Sequence, residues 1–147
     1  MINDSIKMTG ELTITVTNAD GDVTQKVTVP NLVVTTGKNA IASRMKNNDT
    51  VMSHMELGTG TTSAAAGNTA METVISGSRV ALSSTTVTNN AVAYVASFPA
   101  GTGTGAVTEA GIFNASSGGT MLCRTVFSVI NKGANDILGI TWTITVG

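Results

Sequence analysis

Strict alternation of apolar and polar residues is the strongest signal along the chain. In ELTITVT, Leu12, Ile14 and Val16 fall on one side of an extended backbone and Thr13, Thr15 and Thr17 on the other, the period of a half-buried strand. VTQKVTV repeats the pattern with Val23, Val27 and Val29. Asp20-Gly21 between the two runs suits a tight turn that tolerates positive φ, so these strands are expected to pair as an antiparallel hairpin. Pro30 is expected to end the second strand, because proline cannot donate to a ladder. The second half carries five more runs: RVALSSTTVT, AVAYVASFP, AVTEAGIFN, TMLCRTVFSVI and ILGITWTITV. Asn89-Asn90, AGTGTG, ASSGG and NKGAND separate them as turns. In the last run Ile140, Trp142, Ile144 and Val146 face one way and Thr141, Thr143 and Thr145 the other, which makes Trp142 the main packing residue of a core poor in aromatics. This spacing predicts a mainly β chain, an antiparallel β-sandwich of jelly-roll-like kind.

One helix interrupts the strands. NLVVTTGKNAIASRMKNN predicts a short helix over about 37–47, capped by Thr35 or Thr36, with Ile41 and Met45 one turn apart. Arg44 and Lys46 lie near its end, where the helix dipole favours cations. TTGKN is not a Walker loop: Leu32 stands where that motif needs its first glycine, and Asn39 where it needs Ser or Thr. GTGTTSAAAGNT, residues 58–69, has phosphate-loop composition, but its glycines match neither the dinucleotide fingerprint nor the P-loop. It reads as a connector that leaves a short strand around His54–Leu57, in which Ala at Gly58 and Gly60 should impair folding if the loop needs positive φ there.

Composition narrows the chemistry. A length of 147 residues suits one domain with one core, so 1–147 is read as a single β domain. Charged residues make up 12%, about half the usual ~25%, and Thr, Ser, Asn and Gly fill the surface instead. A neutral, hydroxyl-rich surface is inexpensive to desolvate, which points to an assembly with neighbouring chains. The net charge of −1, with eight Lys and Arg spread along the chain, supports neither a nucleic-acid partner nor a membrane surface. Cys123 reads as a small buried hydrophobe; with His54 it gives too few soft ligands for zinc, so no metal and no cofactor is expected. Asn18, Asp20 and Asp22 lack the late acidic ligand of a calcium loop. MINDSIKMTG has no charged n-region or apolar h-region, and no run of 18 apolar residues occurs, so synthesis and initial residence in the cytosol are expected.

Candidate chemistry is sparse. His54 and Glu56 share a strand face without positioning a nucleophile, and no catalytic residue is assigned. Glu72 and Glu109 are acids whose separation is not readable from sequence. Arg124 interrupts the apolar run MLCRTVF, and a partly buried arginine demands a carboxylate, with Glu109 or a neighbouring subunit's acid the natural partner. Residues 1–9 form a possible extended N-terminal arm, whose Ile2, Ile6 and Met8 would gain from burial on an adjacent subunit or other surface.

NLVVTTGKNAIASRM, MELGTGTTSAAAGNTAM, TEAGIFNASSGGTMLCRTVFSVINKG and the terminal ITWTITVG, in that order, resemble a family of small tailed-bacteriophage virion proteins. Its members are labelled tail-fibre or structural proteins and include capsid cement proteins of phages that infect cyanobacteria. The resemblance covers nearly the whole chain, and GTGTT, EAGIF and RTVF are its most specific pieces. It implies a homotrimer, a virion location after assembly in the host bacterial cytoplasm, and the major capsid protein as partner, with no catalytic residues carried over. Without heptads or short repeats, the chain suits a shell-bound or adaptor role better than a fibre shaft. Capsid cement therefore ranks first, a tail-fibre, baseplate or tail-adaptor component second, and a polysaccharide hydrolase a distant third.

Overall fold

The computed structural model describes residues 4–147. Nine strands and one helix follow in the order β1 (Met8–Thr17), β2 (Val23–Val33), α1 (Thr35–Arg44), β3 (His54–Gly58), β4 (Val80–Ala81), β5 (Ser84–Thr88), β6 (Ala91–Phe98), β7 (Gly105–Phe113), β8 (Met121–Lys132) and β9 (Ile137–Val146). Every pairing is antiparallel, and the strands form one curled sheet in the order β4-β3-β7-β8-β2-β1-β9-β6-β5. The fold is mainly β and sandwich-like, as the alternation predicts.

Two segments act as seams between the layers. β2 pairs with β1 from Val23 to Asn31 and then with β8 through Leu32 and Val33. The stretch 80–88 does the same on the other side, pairing with β3 through β4 and with β6 through β5. Pro30 does not end β2, contrary to the expectation. Its carbonyl accepts from Thr125 Oγ1 at 2.8 Å, and the N–H and C=O of an extended residue point to the same side, so the missing donor faces β8 just before that ladder begins. RVALSSTTVT, read as one strand, divides into β4 and β5 because its pairing partner changes at Leu82-Ser83.

The inward positions are largely those of the alternation. Leu12, Ile14, Val16, Ile140, Trp142 and Ile144 are buried in one cluster with Leu57, Val107, Ile112, Cys123, Phe127 and Ile130. Val23 departs from the pattern and is 59% exposed. The register shifts between Val16 and Thr17, and this bulge places Val23 opposite Thr17 and out of the core. The turn itself is as expected: Gly21 has φ +87°, and Asn18 Oδ1 accepts the backbone N–H groups of Asp20 and Asp22 at 3.0 Å each.

The helix starts and ends earlier than 37–47. Its N-cap is Val34, and no side chain caps it; Thr36 Oγ1 instead donates to the Met121 carbonyl at 3.0 Å. β2 turns directly into α1 at the sheet, so tertiary hydrogen bonds take the place of a local cap. Gly37 permits that approach, since a Cβ there would collide with the Leu122 carbonyl. Ile41 packs on the core, whereas Met45, its expected partner one turn on, is 89% exposed beyond the last helical residue.

Trp142 lies opposite Leu12 on one side and Tyr94 on the other, with no exposed surface. Trp142→Ala should therefore cost ~3–5 kcal/mol through the cavity it leaves, a large part of a typical domain's ~5–15 kcal/mol. Its indole Nε1 has no hydrogen-bond partner among the described residues, so Trp142→Phe should cost clearly less. Urea midpoints of the two variants check both statements. Equal loss in both would show that the cost does not follow the volume removed and would contradict the packing account.

Candidate functional site

The outer face of β7 and β8 is covered by the segment 59–79, which leaves β3 at Gly58 and returns at β4. Backbone bonds tie it down: Thr59 N–H to Thr73 O at 2.8 Å and Ile75 N–H to Leu57 O at 3.0 Å. Met71 joins Val34, Phe113 and Met121 in a second, smaller apolar cluster. Beneath this cover lies Glu109, with no exposed surface. Its Oε1 accepts from Gly60 N–H at 2.9 Å and Thr73 N–H at 2.7 Å, and its Oε2 from Glu72 N–H at 3.1 Å and Arg124 Nε at 2.8 Å. One carboxylate thus holds three points of the covering segment and one cation of the sheet.

Arg124 sits opposite Gly111 in the β7–β8 register, diagonal to Glu109. Its remaining nitrogens reach Asn68 Oδ1 at 3.1 Å and Glu72 Oε2 at 3.3 Å. Glu72 in turn accepts from the Thr62 N–H and hydroxyl, each at 2.8 Å. Those Thr62 bonds, backbone first, hold the Glu72 carboxyl below its usual range, with partial desolvation opposing and Arg124 assisting. The two acids do not form an acid–base pair; they share one guanidinium.

Gly58 and Gly60 serve this node, but not by positive φ, which neither adopts. A Cβ on Gly60 would stand 2.5 Å from Glu109 Oε1 and 2.6 Å from the Glu72 Cβ, and one on Gly58 would strike Glu109 and the Thr73 carbonyl. Close approach to a buried carboxylate is what requires glycine there. GTGTTSAAAGNT is therefore a strap around an internal anion.

His54 Nδ1 meets Ser53 Oγ at 2.8 Å, while Glu56 is engaged by Arg79, whose Nε lies 3.0 Å from Glu56 Oε2. Arg79 also donates to the carbonyls of Ala115 and Gly118 and stacks 3.7 Å from the Phe113 ring centroid. Lys132 is buried, with Nζ on the carbonyls of Pro99 at 3.0 Å and Asp136 at 2.7 Å. Burial lowers its pKa, with Asp136 opposing. Neither Arg79 nor Lys132 was singled out from sequence. Cys123 is buried, and burial pushes its thiol well up.

The expected arm, residues 1–9, overlaps the first strand. Met8 and Thr9 belong to β1 and pair with Val146 and Thr145 of β9; Gly147 N–H donates to Lys7 O at 2.6 Å. Met8 is half-buried in its own chain, and Ile6 is 74% exposed. Ile2 lies outside the described residues. Met8, Ile41 and Val146 line two adjoining apolar clefts beside α1, of about 280 Å³ and about 700 Å³.

Loss of Glu109 orphans three backbone donors and the Nε of Arg124, whose other nitrogens keep Asn68 and Glu72, whereas loss of Arg124 leaves Glu109 on its three backbone N–H groups. Glu109→Ala should cost on the order of 3–5 kcal/mol, and Arg124→Met clearly less, as read by urea unfolding. The reverse order would contradict the clamp. The lowered Glu72 pKa has a definite sign: its contribution is full above the unfolded-chain value and is lost as pH falls through the lower folded value. Glu72→Gln should flatten the acid limb of stability against pH, and an unchanged limb would show that Glu72 does not carry it.

No protein family, curated protein or solved structure matches the chain.

Proposed function

We propose that the protein is a bacteriophage virion structural protein, a capsid cement or decoration protein that binds the assembled shell as an oligomer. The reading rests on the resemblance of its motifs, and one observation of the molecule supports it most. No charged residue occurs between Arg79 and Glu109, a stretch that contains β4, β5 and β6. β5 is exposed along its whole length as Ser-Thr-Thr-Val-Thr, with no lysine, proline or bulge to guard it. Such a surface can be covered by neighbouring chains at small desolvation cost.

The interior ions fit a structural role. Glu109 has four donors on its carboxylate, and Arg79, Arg124 and Lys132 are committed to carbonyls and acids of the chain itself. Cement proteins that recognise only an assembled lattice gain from many repeated weak contacts, so a compact domain with neutral faces suffices. The partner in this reading is the major capsid protein, and the oligomer a homotrimer; a tail or baseplate position is the second reading.

Copy number in purified virions separates the two. Quantitative mass spectrometry should find hundreds of copies per particle. A few to a few dozen would move the protein to the tail, and absence from particles would overturn the virion reading. Hydrolysis of capsular or cell-wall polysaccharide by the purified chain would overturn it in favour of an enzyme.

A further inference from the structure

The two ends of β1 carry opposite chemistry. Over ten residues the strand spans about 30 Å, from Met8 beside α1 to Thr17 at the hairpin turn. At the Met8 end the two apolar clefts leave Ile6, Met45 and Val51 exposed on the surface. Lys7 and Lys38 line one cleft and Arg44 the other, and Lys46 follows the helix. Of the eight Lys and Arg, Arg79, Arg124 and Lys132 are held internally and Lys26 lies on β2; the other four surround α1. Asp4 and Asp49 are the acids nearest to them in sequence.

At the Thr17 end the signs reverse. Val23 and Ile137 both stand opposite Thr17, on either side of it, and are 59% and 45% exposed. Asp20 and Asp22 occupy the adjoining turn, and among the described residues neither carboxylate accepts a hydrogen bond or forms an ion pair. Asp136 precedes Ile137 and accepts from Gly133 N–H at 2.7 Å.

We propose that the hairpin end of one chain docks into the α1 clefts of a second copy, with Val23 and Ile137 against the apolar lining and Asp20 and Asp22 facing Lys38 and Arg44. The ends are too far apart to meet within one chain, so the contact is intermolecular and head-to-tail. A contact of this kind is heterologous and either closes a ring or propagates a filament. The second copy is the chosen occupant because both halves of the match, apolar pair and opposite charge, lie on the same polypeptide. The contact holds independently of the virion reading.

Sedimentation and light scattering of the full chain at tens of micromolar test it. The wild type should be oligomeric, and its association should weaken as salt is raised. Asp20→Lys/Asp22→Lys and, separately, Lys38→Glu/Arg44→Glu should each weaken association by roughly tenfold or more, because each brings like charges together. Asp20→Asn/Asp22→Asn should weaken it less. The chain carrying all four reversals should associate again, since both surfaces are inverted together. Circular dichroism keeps folding and association apart, and all four positions are solvent-exposed. A wild-type monomer, an oligomer indifferent to both reversals, or no recovery in the fourfold variant would overturn the proposal; indifference would move self-association to another surface such as β5.

Discussion

The carboxylate of Glu109 is the interaction on which the second layer depends. A buried anion is tolerable only when its acceptor sites are filled, and three of its four donors come from the backbone of the segment that covers it. The dependence is mutual. The segment 59–79 has little regular structure of its own, so the anion organises the strap while the strap removes the anion from water. Arg124 then extends the order outward to Asn68 and Glu72, and through Glu72 to Thr62.

Much of the sheet was legible because strand periodicity is a local property. Leu12, Ile14, Val16, Ile140, Trp142 and Ile144 are inward for the simple reason that side chains alternate across a strand. The demand of Arg124 for an acid was also legible, since an arginine inside an apolar run has few other solutions. What sequence could not convey is whatever depends on a partner distant in the chain. The tolerance of Pro30 at a seam and the placement of Met8 beside Val146 each depend on which strand lies alongside, and the bulge that turns out Val23, though local to its hairpin, is a matter of register that alternation does not report.

The strap illustrates the same point. Its glycines suggest positive φ when read in isolation, and Gly21 at the hairpin does adopt it. Gly58 and Gly60 are small for a different reason, the proximity of Glu109 and Glu72, which lie far from them in sequence. Arg79 over Phe113 left no local trace, because an aromatic and a cation 34 positions apart carry no periodic signature.

The position of β9 has a consequence for the order of folding. The last strand in sequence order lies between β1 and β6, and Met8, the first residue of β1, pairs with Val146. Two hairpins, β1–β2 and β5–β6, can form early from local turns, but their facing edges on β1 and β6 stay unpaired until β9 has been synthesised and inserted between them. A nascent chain on the ribosome therefore holds two unsatisfied strand edges until β9 emerges. Thr9, Thr13, Thr15 and Thr17 keep one face of the β1 edge polar during that wait, whereas β6, AVAYVASF, has no threonine and relies on its partner β5.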